Sequence, residues 1–348
     1  MGAKLSTWPK LLTQPKLFTQ PKLLTRPKLK RWFSLIAILL VVSACTSKEE
    51  QLQKAVDQQI NATTSALVKL EKAISGGKIR NTAILSQYAD QVANQRPEMA
   101  LLAKQIATDA GLTGPIYSNL VTRLNEVKTN PAAFVDTNER LDELQAITDG
   151  ASLSLFNDAL SDPINVLADL SDNTLPRINA ISRESEISAN QSTAEPGSQM
   201  VGNPNYGNWQ TGSNGTSFWA WYGMYSMFSN VMGYNRPSYG NWGRNRGYSY
   251  YSDYGRSRYS SPKQRSKQQT LYNKTKKSFA SKGKRFTGPY SKRRVGSSSL
   301  SRASHTPSKK SAYSKRSSAK SSYSSGSGSG GVRSGSSRTS RGSRGGGK

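Results

Sequence analysis

Very few residues in this 348-residue chain could act as a nucleophile, a proton shuttle or a soft metal ligand. It contains one cysteine, Cys45, and one histidine, His305. That pair is too small a set for the usual zinc ligand shells or for a histidine-activated nucleophile. His305 stands alone in a Ser- and Lys-rich stretch and is read as neither ligand nor base. Acidic pairs such as Glu139 with Asp142 or Glu143 share a helix face, and solvated helix surface explains them better than a carboxylate site does. The glycines are scattered and form no phosphate-cradling motif. No catalytic residue, metal ligand or cofactor is therefore assigned, and the chain is expected not to be an enzyme. The remaining chemistry is covalent modification of the Cys45 thiol and non-covalent binding by aromatic and cationic side chains.

The flanks of Cys45 say what that modification is. Lys28, Lys30 and Arg31 precede thirteen mostly apolar residues, Trp32 to Ala44, and small Ser43 and Ala44 sit directly before the thiol. Thirteen residues are too few to span a bilayer as a helix, which takes about 20, but they suit the apolar core of an export signal. The run Val42-Ser43-Ala44-Cys45 resembles the lipobox of bacterial lipoprotein precursors. The resemblance covers residues 28–46 and implies that diacylglycerol is attached to Cys45, that cleavage falls between Ala44 and Cys45, and that the new amino terminus is acylated. More than one acyl chain makes an anchor stable where a single chain is marginal. Thr46 follows the cysteine. By the sorting rule of that family, a residue other than Asp here favours the outer membrane, facing the periplasm, if the host is Gram-negative. Upstream lies a six-residue repeat (TWPKLL, TQPKLF, TQPKLL, TRPKLK) whose prolines at 9, 15, 21 and 27 exclude a continuous helix. It either lengthens the basic part of the signal or precedes the true translation start. No mature function is expected of residues 1–44.

Behind the anchor, residues 45–187 carry a helical period. Leu52, Val56, Ile60, Leu67, Leu70 and Ile74 mark one face of a helix ending at Gly76-Gly77. Ile79, Ala83, Ile84, Tyr88 and Val92 mark a second, stopped near Pro97. Met99, Leu102 and Ile106 mark a third, Ile116 to Val127 a fourth, and Leu141, Leu144 and Ile147 a fifth. Two shorter apolar segments, Leu153–Leu160 and Ile164–Leu170, are separated by Asp162-Pro163. The expected fold class is all-α, a small helical bundle starting close to the membrane.

Charge then divides the chain. Residues 46–235 hold 13 basic and 20 acidic residues, whereas residues 236–348 hold 28 basic residues and one acid, Asp253. Residues 188–216, rich in Ser, Gly, Asn and Gln, read as a linker. Residues 217–235 read as an aromatic amphipathic segment. Its Trp219, Trp221, Tyr222, Tyr225 and Phe228 either dock on the body or a second copy, lie at a lipid surface, or bind a partner. From 236 onward, composition predicts a disordered basic tail. In it Tyr248, Tyr250, Tyr251 and Tyr254, interleaved with arginine, suit stacking, and Lys284, Arg285, Lys292, Arg293 and Arg294 suit polyanions.

These features favour a non-catalytic, membrane-anchored envelope lipoprotein. Its expected partners are the membrane, through the lipid, and anionic envelope polymers or phospholipid. A nucleic-acid-binding or adhesive surface protein comes second, since an exported chain meets envelope polyanions before nucleic acid. A role as accessory subunit of a membrane complex, or self-association, also stays open. Intact-mass analysis of the membrane fraction is expected to show a chain starting at Cys45 with added diacylglycerol, absent in Cys45→Ser. Recovery of an unmodified chain that keeps residues 1–44 would overturn the anchor.

Overall fold

The computed structural model describes residues 27–191, 194–231, 237–291 and 293–314, with side chains from residue 48 onward and Met224 excepted. Two compact units are separated between Gln51 and Leu52. Helices α1 (Pro27–Ser75), α2 (Arg80–Gln95), α3 (Ala100–Ala107), α4 (Pro115–Thr129), α5 (Thr137–Gly150), α6 (Leu153–Ala159), α7 (Ser161–Leu170) and α8 (Arg183–Asn190) come first. An antiparallel hairpin follows, β1 (Gly207–Thr211) and β2 (Ser217–Trp221). Then come α9 (Phe228–Val231), α10 (Tyr239–Asn245), α11 (Pro262–Ala280) and α12 (Arg302–His305). The fold is mostly helical, in line with an all-α class, with the hairpin as the sheet element among the described residues. Among those residues no helix is long and apolar enough to cross a membrane.

The breakers act largely where the sequence puts them. α1 ends in a Schellman turn: Lys78 N–H donates to Ala73 O at 2.8 Å and Gly77 N–H to Ile74 O at 3.1 Å. Gly77 holds φ +62°, a backbone that glycine adopts without strain. Pro97 follows α2, and Pro115 opens α4 at a position needing no N–H partner. Asp136 caps α5 by accepting from Glu139 N–H at 2.7 Å. Two details differ from expectation. The buried stripe of α2 runs through Leu85, Ala89 and Val92, and Ala83 is exposed. The break between the last two helices of the body falls at Leu160, so Asp162 and Pro163 lie in the first turn of α7, where proline is tolerated.

α7 is the helix the others surround. All ten of its residues are buried, and it packs on α2 and α3. Ile164, Val166, Leu167 and Leu170 join the main apolar core. Asp162, Asn165 and Asp169, spaced three and four residues apart, share one face. Each must find partners, because an unpaired buried polar group costs about 1–3 kcal/mol and a charged one more. Asn165 closes both bonds on Ile178, accepting from its N–H at 2.7 Å and donating to its carbonyl at 3.0 Å. Asp169 takes Arg177 in a fork at 2.9 and 2.8 Å, with Gln199 donating at 2.7 Å. Asp162 accepts from the N–H groups of Tyr250 and Tyr251 at 2.6 and 2.9 Å and from Ser249 Oγ at 3.0 Å.

The expected boundary at residue 236 therefore does not mark the end of packed structure. Residues 237–314 lie against the helices, and residues 315–348 fall outside the described residues. Composition misled because tyrosine buries ring area while counting as polar, and because internal acceptors take up two of the arginines. Tyr239, Trp242, Tyr248, Tyr250, Tyr251 and Tyr259 are all buried. Arg246 and Arg258 are buried too. The first forks onto Asp253 at 3.0 and 2.6 Å, and the second donates to the carbonyls of Tyr254, Ala303 and Thr306. Within the expected linker 188–216, residues 194–206 are likewise packed, with Met200, Val201 and Tyr206 fully buried.

Burial raises the Asp162 carboxyl from an ordinary 3.8 to about 7, its hydrogen bonds opposing the rise, and Asp109 is raised to about 7 in the same way. Between 3.8 and about 7 the folded chain holds protons that the unfolded chain has released. These two groups therefore favour folding most at low pH, and their contribution falls as pH rises to about 7, by on the order of 1 kcal/mol per pH unit each. In urea denaturation, Asp162→Asn is expected to show a smaller loss of stability than the parent between about pH 4.5 and about pH 7.5. An unchanged pH slope would show that Asp162 does not titrate in that window.

Candidate functional site

Val201, Trp219, Tyr239 and Trp242 form a second apolar cluster beside the helical core. Trp209 joins it through three edge or tilted contacts: Trp219 at 5.1 Å, Tyr239 at 5.0 Å and Trp242 at 5.4 Å between ring centroids. Such geometries suit the ring quadrupoles better than face-to-face stacking. Trp209 and Trp219 are directly opposed across β1 and β2. Gly202 supports the packing: at φ +83°, a Cβ there would come within 2.5 Å of the Trp242 ring.

A cleft of about 520 Å³ opens between this hairpin and α11. Trp209, Trp219 and Tyr222 line it from the hairpin side, and Lys267, Leu271 and Lys274 from α11. The last three are spaced four and three residues apart, which puts them on one face of that helix. α11 is fixed at its start by a capping box: Ser261 Oγ accepts from Gln264 N–H at 3.2 Å, and Gln264 Oε1 accepts from Ser261 N–H at 2.8 Å. Gln268, only 7% exposed, also lines the cleft and donates from Nε2 to Tyr251 Oη at 2.8 Å. Its Oε1 has no partner among the described residues, and neither have the buried indole N–H groups of Trp209 and Trp219. No aspartate or glutamate lines it.

The residues expected to present an interface are mostly turned inward. The expected aromatic amphipathic segment 217–235 is, over 217–231, β2, a 3₁₀ turn over Gly223–Met227 and the short α9, and residues 232–235 lie outside the described residues. Alternating bulky residues around Gly212-Ser213-Asn214-Gly215 are a hairpin pattern, and this was the missed signal. Trp219, Tyr225 and Phe228 are buried, Trp221 stacks on Phe228 at 4.7 Å, and Tyr222 is exposed. Burial raises the Tyr225 hydroxyl well above its usual range.

The tyrosines expected to stack on ligands instead hold the C-terminal segment. Tyr250 Oη lies 3.0 Å from Ser304 Oγ, and Tyr251 Oη 2.5 Å from Ser260 Oγ. Tyr248 is buried, its backbone N–H bonded to Glu186. Tyr254 is half-buried under Arg293, whose guanidinium sits 4.4 Å from the ring centroid. Of the expected polyanion-binding set, Lys284, Arg285 and Arg293 are exposed. Arg294 is half-buried on the carbonyls of Gly243 and Arg244, and Lys292 lies outside the described residues.

Of the acids expected at the surface, Glu143 is internal, and Glu139 and Asp142 are half-buried. Glu143 is buried in a fork with Arg123 at 2.6 and 3.0 Å, and Asp142 accepts from Ser311 N–H at 2.8 Å and Ser314 Oγ at 3.0 Å. Glu139 closes the start of α5, accepting from Val135 N–H at 2.7 Å. His305 packs edge-on against Tyr254 at 5.3 Å. Cys45 falls within α1. Sequence reasoning missed Trp209, Lys267, Gln268 and Lys274, since nothing local links a strand at 209 to a helix at 267.

Compared with family models, curated proteins and solved structures, the chain matches none.

Burial makes a direct prediction for protease access. Within residues 52–314, brief trypsin treatment is expected to cut first after exposed Lys282, Lys284 and Arg285, and to spare the bonds after buried Arg246 and Arg258. Early cleavage after Arg246, read by mass spectrometry of the fragments, would show that the segment is not packed.

Proposed function

We propose that this chain is a non-catalytic, lipid-anchored envelope protein that holds an anionic envelope polymer or phospholipid headgroup on the basic surface of its C-terminal half. The carrying observation is the distribution of charge. Residues 237–314 contain nineteen Lys and Arg against Asp253 alone. Two of the arginines are internal, but Lys263, Lys267, Lys274, Lys276, Lys277, Lys282, Lys284 and Arg285 are all exposed along α11 and the turn after it. Concentrated like charge with no neutralising acid attracts a polyanion over a wide area. The lipobox-like run before Cys45 supports an address in the envelope. Outer-membrane placement facing the periplasm extends the same reading.

Nucleic acid becomes a weaker alternative. Its main support was the tyrosine–arginine stretch, and Tyr248, Tyr250 and Tyr251 are buried, so they offer no open rings to successive bases. Co-sedimentation with anionic vesicles, and separately with an insoluble acidic wall or capsule polymer, tests the reading. Binding to at least one is expected near 0.1 M salt and lost near 1 M, as the Debye length shrinks from about 10 Å to about 3 Å. Reversing Lys276, Lys277, Lys282 and Lys284 to Glu is expected to weaken binding by roughly tenfold or more. No binding to either partner at low salt would overturn it.

A further inference from the structure

We propose that the cleft between the β1–β2 hairpin and α11 is a carbohydrate site that takes one stretch of an acidic polysaccharide. One sugar ring sits against the exposed Tyr222 and the open part of Trp209, and its carboxylate or phosphate is held by Lys267 and Lys274. This deepens the reading above and rests on it for the compartment in which such a polymer is met.

The lining chooses among ligand chemistries. At about 520 Å³ the cleft is within the size range of small-ligand sites. Its walls combine three aromatic residues with the amide or hydroxyl groups of Asn208, Thr211, Ser217 and Gln264. A purely apolar ligand would strip water from those groups and return no hydrogen bonds. A bare phosphate would leave the indoles without use. A pyranose ring has an apolar C–H face for an aromatic wall and a rim of hydroxyls that both donate and accept.

Gln268 Oε1 and the indole N–H groups of Trp209 and Trp219 are closed to solvent, so hydrogen bonding to a ligand falls to the open polar groups of Asn208, Thr211 and Gln264. Sugar hydroxyls can donate to or accept from each of these. Charge sets the last requirement, since two exposed lysines on one face of α11, with no acid in the lining among the described residues, select an anionic sugar over a neutral one.

Single-stranded nucleic acid shares the anion and the flat rings. It is argued against by the aromatic wall, where Trp219 is buried, Trp209 is half-buried and Tyr222 alone is exposed. Successive bases need a row of open rings.

Tryptophan fluorescence of the full chain in detergent micelles tests the site, with oligogalacturonate as the acidic probe. A neutral galactose oligomer of equal length, tripolyphosphate and oligo-dT serve as comparisons. Lys267→Ala/Lys274→Ala removes the cleft cations, and Lys104→Ala/Lys128→Ala removes two exposed cations of the helical body, outside the cleft and the basic surface, so both variants should fold. Oligogalacturonate is expected to give a saturable change that the neutral oligomer matches only at higher concentration. The cleft variant should weaken it by about tenfold or more, the control variant by much less.

The site is overturned if oligogalacturonate gives no saturable change, or if the two variants lose affinity equally. It is also overturned if tripolyphosphate or oligo-dT produces the same change with equal affinity. Loss of the site with polymer or vesicle co-sedimentation intact would overturn the cleft alone. Loss of co-sedimentation as well would overturn the broader reading.

Discussion

A helix buried on every side, with two aspartates and an asparagine along one face, sets the terms for the rest of this structure. α7 cannot send Asp162, Asn165 or Asp169 to water, so later parts of the chain must reach them. Residues 177–178 supply Arg177 and the Ile178 backbone, residue 199 supplies an amide, and residues 249–251 supply two N–H groups and a hydroxyl. Removing any of these would leave a polar group stranded at low dielectric, which costs far more than the net worth of the hydrogen bond itself. The helical body and the described residues of 237–314 are therefore packed as one unit through these bonds.

The same device recurs around α7. Asp158 accepts from Ser301 N–H at 2.8 Å and Ser304 Oγ at 2.7 Å, holding α12 against α6. Glu186, on α8, accepts from both Tyr248 N–H and Arg177. Asp142 binds residues 311 and 314. Body carboxylates thus bond to the backbone and hydroxyls of a segment that has almost no acid of its own. Most of these contacts are not lysine–carboxylate pairs, so the segment's lysines stay at the surface. Fixing the chain and presenting charge are separate tasks, the first carried by tyrosine and serine residues and the second by lysines.

Arg123 and Arg246 show how arginine enters such an interior. Each forks onto one buried acid, Glu143 or Asp253, and also reaches a main-chain carbonyl, that of Arg258 or Pro289. The planar guanidinium fills several acceptor sites at once, which a lysine ammonium in the same place would not match. The aromatic cluster beside them then gives the hairpin and α11 a common apolar floor, and the cleft lies along that seam.

Local patterning was enough for the first half of the chain. Gly76-Gly77, Pro97, Pro115 and Asn130-Pro131 punctuate helices by steric and hydrogen-bond rules that operate within a few residues, and those helices lie close to where their apolar spacing places them. The run of residues before Cys45 is equally local, a matter of composition and order along the chain. Tertiary structure decided the fate of residues 188–314. Whether Tyr250, Arg246 or Met200 is buried depends on partners dozens of residues away, and composition counts tyrosine, serine and arginine as solvent-seeking whatever they meet. Burying the Asp162 face of α7 required donors from that segment, and the segment could be ordered only by acceptors from the body. Neither half reveals this alone, because hydrogen-bond satisfaction in an interior is a property of pairs.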